Sequence, residues 1–255
     1  MTFRIAVASL LVAAVGIIAA LAVFVRPRLT AVERGRRIAE ANGCFACHGP
    51  EGVRGVPNAG RAEGRVPDFE GSLMMYAETA EEIRQWIRDG GTKSRRESKS
   101  WQEDRRKGAL RMPAYGARLS RGQIEDLVAF VLATAGLPAP TDSLAVLGRD
   151  RAHALGCIGC HGVGGRLSRP NRGSLKGYVP PWDGPDFPEL VRDRTEFGEW
   201  VEDGVSRRFR HNSLAQFFLR RAALKMPAYR THVEKTDVDA IWAYVRWLRS
   251  NPAPP

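Results

Sequence analysis

Cys44-Phe45-Ala46-Cys47-His48 recurs later in the chain as Cys157-Ile158-Gly159-Cys160-His161, and the two Cys-x-x-Cys-His motifs use all four cysteines of the protein. Two thiols at this spacing can each form a thioether to one vinyl group of a haem. The imidazole that follows is then held beneath the iron as an axial ligand. The sequence therefore predicts two covalently bound haem c groups, attached through Cys44, Cys47, Cys157 and Cys160 and ligated by His48 and His161.

Other uses of paired cysteines explain the motifs less well. Structural zinc would need a second cysteine pair, or two histidines, at short spacing, and the wide gap between these two motifs is not typical of such sites. A thioredoxin-like redox pair accounts for neither histidine, and no βαβ pattern surrounds the motifs. Disulfides stay open in an oxidising compartment, although they also leave both histidines unexplained.

The chain carries a formal net charge of +11. Such a basic chain can bind nucleic acid, an anionic membrane surface or an acidic protein. It has neither the finger spacing nor the aromatic-interleaved basic stripe of nucleic-acid modules, so no nucleic-acid partner is expected. We expect redox partner proteins with acidic docking faces instead.

Residues 5–25 form a continuous uncharged run, which is long enough to cross a bilayer as a helix. The run is longer than the apolar core of most cleaved signals, so residues 1–29 are predicted to be a retained transmembrane anchor. Ala20-Leu21-Ala22 leaves cleavage of a signal peptide as the alternative.

The charges on the two sides of this run favour a topology in which the bulk of the chain is cytoplasmic. Arg4 precedes it, whereas five arginines follow closely, and the positive-inside rule alone would place the bulk of the chain in the cytoplasm. Covalent haem attachment in bacteria takes place outside the inner membrane. The haem motifs therefore predict a bacterial inner-membrane protein with both haem domains on the periplasmic side.

The two motifs belong to an internal repeat. Most matches share the offset of the two motifs or differ from it by one residue, and they include Gly35-Arg36 with Gly148-Arg149, Pro57-Asn58 with Pro170-Asn171, Trp86 with Trp200, and Met112-Pro113-Ala114-Tyr115 with Met226-Pro227-Ala228-Tyr229. Pro67-Asp68-Phe69 is matched with Pro185-Asp186-Phe187, which requires a short insertion in the second copy and four extra residues in the first.

The pattern of each half predicts helices and no convincing strand. A short helix leads into each motif (residues 32–42 and 147–155), a second ends at Gly90 or Gly204, and an amphipathic helix closes each half. Ser120 and Thr236 are the expected N-caps of the two closing helices. The segment 136–140, which is rich in Gly and Pro, is the predicted linker.

The repeated Met-Pro-Ala-Tyr predicts the sixth iron ligand. Met112 follows His48 at almost the same interval at which Met226 follows His161, and the two intervals differ by a single residue. A thioether sulfur in this position gives a low-spin electron carrier, and the proline that follows stiffens the loop that presents it. Met74 and Met75 have no counterpart and are read as pocket lining or core. His153 is read as a surface or packing residue. His211 lies in a basic loop with no first-half equivalent, and a role as alternative axial ligand is the less favoured reading of it.

On these motifs each half resembles a class I cytochrome c domain, and the whole chain resembles membrane-anchored dihaem c-type cytochromes. The resemblance implies an all-α fold with one domain at residues 30–137 and a second at 138–255. It also implies that the carbonyl of Pro57 or Pro170 accepts a hydrogen bond from the axial histidine. Finally, it implies that the first and last helices cross at Gly35 with Phe130 and at Gly148 with Tyr244.

The expected function is electron transfer rather than catalysis. The relay would join respiratory or dehydrogenase partners, alone or as a subunit of a larger membrane complex. Two basic segments precede the methionines: residues 93–111 hold eight Lys or Arg and three acids, and residues 207–225 hold six and none. They are the expected docking surfaces. The alternative is a dihaem peroxidase or sulfur-compound oxidoreductase with one open or unusual axial site.

Overall fold

The computed structural model describes residues 12–19, 22, 26, 28–71 and 73–252. The fold is mostly helical, as expected. Among the described residues from 28 onward, the first half contains six α-helices: α1 (Ala31–Ala41), α2 (Cys44–His48), α3 (Ala80–Asp89), α4 (Lys93–Glu97), α5 (Lys99–Lys107) and α6 (Arg121–Thr134). The second half contains seven: α7 (Ser143–Ala154), α8 (Cys157–His161), α9 (Phe187–Leu190), α10 (Arg194–Asp203), α11 (Arg207–Arg210), α12 (Ser213–Arg221) and α13 (Lys235–Ser250).

The predicted membrane span at residues 5–25 falls largely outside the described residues. Within it, residues 12–19 are helical, and their apolar side chains are exposed. Among the residues with described positions, no helix is both long and apolar enough to cross a membrane.

The first and last helices of each half cross at a glycine, as predicted. A Cβ atom on Gly35 would lie 1.9 Å from the carbonyl oxygen of Asp126 and 2.8 Å from the Cβ atom of Phe130. A Cβ atom on Gly148 would lie 1.9 Å from the carbonyl oxygen of Ala240, one turn before the predicted contact at Tyr244. The α1–α6 and α7–α13 backbones therefore touch where no larger residue fits.

An arginine–carboxylate pair reinforces each crossing. In the first half, Arg34 Nε and Nη2 donate to Asp126 at 2.9 and 2.6 Å. In the second half, Arg151 Nε and Nη2 donate to Asp237 at 2.7 and 2.8 Å. Bidentate geometry of this kind fixes direction as well as distance, so each pair sets the rotation of one helix against the other.

The predicted N-cap is correct for α6 and wrong for α13. Ser120 and Gln123 form a reciprocal capping box at the start of α6. The helix α13 begins two residues earlier than predicted, with Glu234 as its N-cap. The reason is that Asp237 accepts a hydrogen bond from the Glu234 N–H at 3.0 Å while it also holds Arg151. Thr236 therefore lies inside the first turn.

Within the described residues, the prediction that the chain has no convincing strand is correct apart from two strands of two residues each. β1 (Arg169–Pro170) and β2 (Tyr178–Val179) form a two-stranded antiparallel sheet in the second half. In the first half the same place holds a single β-bridge between Pro57 and Arg65. These pairs close a tight loop after each motif and add no sheet core.

The two halves meet at a seam of complementary contacts. Leu167 of the second half is fully buried and belongs to the hydrophobic core of the first half. Beside it the Ser168 N–H donates to Glu33 Oε2 at 3.3 Å, and Arg169 Nη1 lies 3.4 Å from Glu51 Oε1. The halves are therefore packed on one another, while the division at residue 137 stays a prediction.

Replacement of Gly35 by alanine tests the helix crossing. Gly35→Ala is expected to lower the free energy of unfolding by about 3 kcal/mol, because the new methyl group overlaps a main-chain carbonyl that cannot yield without separating the helices. Gly122→Ala is the matched control, because a Cβ atom there meets nothing within 4 Å. The control should raise the free energy of unfolding by up to about 1 kcal/mol. Equal effects in denaturant unfolding would contradict the crossing.

Candidate functional site

A short helix presents each Cys-x-x-Cys-His motif. The left-handed residues Gly43 and Gly156, with φ of 72° and 73°, turn the chain directly before α2 and α8. All four cysteines are half-buried free thiols. Burial raises the pKa of the Cys44 and Cys157 thiols. The disulfide alternative is therefore not realised in the structure, and the thiols stay available for thioether formation.

The predicted axial histidines are oriented by prolines other than the predicted ones. His48 Nδ1 lies 2.8 Å from the carbonyl oxygen of Pro67, and His161 Nδ1 lies 3.4 Å from that of Pro180. The predictions for Pro57 and Pro170 are wrong, because these residues pair with Arg65 and Tyr178 in the loop closures. Each true acceptor lies 19 residues beyond its histidine.

An aromatic ring lies against the imidazole of each predicted axial histidine. The Phe69 ring is 4.6 Å from the His48 ring, and the Trp182 ring is 4.9 Å from the His161 ring, with interplanar angles of 34° and 33°. Burial lowers the pKa of His48, and it lowers that of His161 to about 4. A neutral imidazole that donates Nδ1–H to a carbonyl keeps its Nε2 lone pair for a metal.

These contacts also correct the predicted alignment of the repeat. The Phe69 N–H donates to Gly52 O, and the Trp182 N–H donates to Gly165 O, both at 2.7 Å. Pro67-Asp68-Phe69 therefore corresponds to Pro180-Pro181-Trp182, not to Pro185-Asp186-Phe187. No insertion separates the copies before this point. The register has shifted by one residue at Trp86 and Trp200, which donate to the carbonyls of Tyr76 and Leu190.

A buried asparagine pins the loop before each predicted methionine ligand. The Asn58 side chain donates to Leu110 O at 3.0 Å and accepts from Leu110 N at 2.9 Å. Asn171 does the same to Leu224, at 2.9 and 2.8 Å. Met112 and Met226 follow two residues later, and each packs against the core of its own half. Sequence reasoning matched the asparagines but assigned them no role.

The tyrosine of each Met-Pro-Ala-Tyr fixes the other end of the loop. The Tyr115 and Tyr229 N–H groups donate to the carbonyls of Ile87 and Val201, both at 3.0 Å. The Tyr229 hydroxyl donates to Leu155 O at 3.0 Å, and the Tyr115 hydroxyl lies 3.4 Å from Asn42 O. Each hydroxyl thus reaches the helix that leads into the haem motif, so the methionine loop and the motif are joined directly.

The remaining candidates lie on the surface. Met74 and Met75 are 56% and 67% exposed, so their prediction as core is wrong, while their prediction as pocket lining stays a prediction. They belong to a single 3₁₀ turn rather than to the packed face of a helix. His153 is exposed, as expected, and His211 is exposed at the end of α11. Within the described ranges, no cluster of three or more His, Cys, Asp or Glu residues could bind a further metal ion.

One orphaned donor in the first half fits a bound haem. Trp101 Nε1 is buried and has no hydrogen-bond partner among the residues whose positions are described. Its ring packs on Trp86 at 5.9 Å, and Arg105, which lies 5.6 Å from that ring, donates to Met112 O. A buried indole N–H without a partner costs free energy. A carboxylate of the kind that haem propionates supply is a fitting acceptor beside the methionine loop.

Comparison with known proteins identifies the first half. Residues 32–135 match the family model of cytochrome c, so this part of the chain is a cytochrome c domain. Such a domain indicates a haem protein of electron transfer. No curated protein and no solved structure matches the chain.

Removal of the asparagine clamp should loosen the methionine loop. Asn58→Ala leaves the N–H and C=O of Leu110 without their partner, and we expect the free energy of unfolding to fall by about 1–3 kcal/mol. If each half binds a Met-ligated haem, as predicted, the charge-transfer band of the ferric protein should weaken by up to half in Asn58→Ala and by up to half in Asn171→Ala. An unchanged band in both variants would show that the clamp does not hold the ligand loop.

Trp101→Phe tests the orphaned indole. If Trp101 donates to a propionate, its loss leaves more negative charge near the iron and favours the ferric state. One of two haem midpoint potentials should therefore fall, by up to about 60 mV, which is a tenfold change in a one-electron equilibrium. Redox titration followed in the visible spectrum measures this. The second potential serves as the internal control, and two unchanged potentials would overturn the assignment.

Proposed function

We propose that the chain is a membrane-tethered dihaem c-type cytochrome that relays electrons between respiratory or dehydrogenase partners. One observation carries the proposal: both halves build the same site from the same contacts. In each half a histidine meets a proline carbonyl 19 residues onward, and a buried asparagine clamps the loop two residues before a methionine. These shared contacts support a second cytochrome c domain in the second half, which the family model does not cover.

The proposed ligand sets follow from this repeat. Cys44 and Cys47 would attach one haem, which His48 and Met112 would ligate. Cys157 and Cys160 would attach the other, with His161 and Met226 as its ligands. A bound haem supplies a one-electron couple. The protein orients each imidazole through a carbonyl, clamps each methionine loop from two sides and packs an aromatic ring on each histidine.

Tethering is supported by the apolar run at residues 5–25. Four apolar side chains of its helical residues 12–19 are 61–73% exposed and have no protein core to enter. Such a helix would gain free energy by transfer into lipid. Because covalent haem attachment in bacteria takes place outside the inner membrane, we place both haem domains on the periplasmic side.

The two basic segments would serve as docking surfaces for acidic redox partners. The first contains α4 and α5, the second contains α11 and α12, and none of these four helices buries a residue. Leu214 and Phe217 in the second segment are 65% and 47% exposed. Opposite charge accelerates encounter, and an apolar residue within a charged rim gives the bound complex a desolvated centre. The partner would be a separate protein or a neighbouring subunit of one membrane complex.

The visible spectrum of the purified protein with carbon monoxide tests the relay function. Two His/Met-ligated haems should give a low-spin spectrum that carbon monoxide does not change. Met112→Ala and Met226→Ala should each open one site, so each variant should bind carbon monoxide at about half of the haem, as expected for one of two sites. Carbon monoxide binding by the unaltered protein would contradict the relay and favour an enzyme with an open axial site.

A further inference from the structure

The segment that leaves the predicted membrane span is tied to the second half of the molecule. Arg28 follows shortly after residue 25. Its Nε donates to Asp186 Oδ1 at 2.7 Å, and its Nη2 donates to the carbonyl oxygen of Pro185 at 3.3 Å and to the Glu189 carboxylate. These three acceptors, all within residues 185–189, form what we term the Arg28 clamp. The clamp thus joins parts of the chain that are far apart in sequence.

The acceptors of the Arg28 clamp are also held by residues other than Arg28. Asp186 is only 2% exposed, and it also accepts from Lys176 Nζ at 2.9 Å and from the Tyr178 hydroxyl. Burial opposes ionisation of Asp186, but the hydrogen bonds from Lys176 and Arg28 outweigh it and lower its pKa. Lys176 also holds Glu189 at 2.6 Å. Removal of the Arg28 side chain would therefore leave both acids paired and the local fold intact.

The next residues are fixed to the first half. The carbonyl oxygen of Leu29 accepts from Arg34 Nη1 at 3.1 Å, and the same guanidinium pairs with Asp126 on α6. The Thr30 hydroxyl then caps α1 by accepting from the Glu33 N–H. The chain thus passes from a contact with the second half to contacts with the first within three residues. This connection is too short to let the two halves rotate relative to the tether.

Covalent geometry limits how far this junction can lie from lipid. Three residues span at most about 11 Å, so the Cα atom of Arg28 lies within about 11 Å of the end of the predicted span. The polar headgroup layer is itself about 5–8 Å deep on each side of a bilayer. The clamp therefore lies at or just beyond the headgroups. Both acids of residues 185–189 are paired with Arg28 or Lys176, so this face does not repel anionic lipids.

We propose that the Arg28 clamp holds the second half against the membrane in one fixed orientation, with residues 185–189 facing lipid headgroups. The proposal rests on the membrane tether of the proposed function. The clamp would decide which surfaces of the protein are accessible to its partners. A protein held in this way offers its partners the surfaces that face away from residues 185–189, and it cannot turn the second half outward while the clamp is closed.

Spin labelling of the full holoprotein in vesicles tests the orientation. A nitroxide on Pro188→Cys, an exposed residue of α9, reports the distance to a nickel-chelating lipid in vesicles of phosphatidylcholine and phosphatidylglycerol. Reduced protein is used because low-spin ferrous haems are diamagnetic. We expect relaxation of the label to be at least threefold stronger than in the Arg28→Ala background. Arg26→Ala removes the same charge closer to the span and should leave the relaxation unchanged. A label on the exposed Arg192→Cys provides a second reporter.

The outcomes separate the clamp from the tether. If the protein floats with the vesicles but both labels relax equally in the native and Arg28→Ala backgrounds, the clamp proposal is overturned and the tether stands. If the protein does not float with the vesicles, the tether itself is overturned, and the clamp proposal falls with it.

Discussion

In the proposed electron carrier, each half would hold a methionine opposite an imidazole that lies far earlier in the chain. The interval from His48 to Met112 is one residue shorter than that from His161 to Met226. Closing such a long loop costs conformational entropy, and that cost has to be offset by contacts within the protein. The buried side chains of Asn58 and Asn171 supply two hydrogen bonds each. The tyrosines of the repeated tetrapeptide tie the other end of each loop, and the helix crossings at Gly35 and Gly148 fix the frame in which both ends meet.

Sequence patterns carry most information where residue type and chemistry coincide, and of these predictions the structure confirms the glycine crossings. The haem motifs, the methionine loops and the glycine crossings all need one particular residue at one position. The histidine acceptors were missed because any residue can offer a carbonyl, so Pro67 and Pro180 carry no distinctive signal. The ring beside the histidine is Phe69 in the first half and Trp182 in the second. Because these residues differ, matching identical residues pairs Pro67-Asp68-Phe69 with Pro185-Asp186-Phe187 instead. The sequence does not predict the start of α13, because it depends on hydrogen bonds from the Glu234 N–H and from Arg151 to the same Asp237 carboxylate. Arg151 is distant in sequence and reaches Asp237 only in the folded chain.

The two halves differ at positions where they contact one another. Glu51 adopts a left-handed conformation, with φ of 55°, at the position where the second half has Gly164, with φ of 58°. A residue other than glycine in this region carries a backbone cost, which is offset here by the reach of the Glu51 carboxylate to Arg36 and Arg169. Leu167 likewise takes the place of Arg54 and enters the core of the first half. These differences make the contact between the two halves heterologous, because each half contributes a different surface to it.

The central claim is that the second half carries a haem of its own. The most direct measurement is the intact mass of the protein purified after expression with a cytochrome c maturation system, recorded under denaturing conditions so that only covalently attached haem is counted. If both halves carry haem, the mass should equal that of the chain plus two haems. Replacement of both Cys157 and Cys160 by serine should reduce it to the chain plus one haem. An unaltered chain that carries a single haem would contradict the claim.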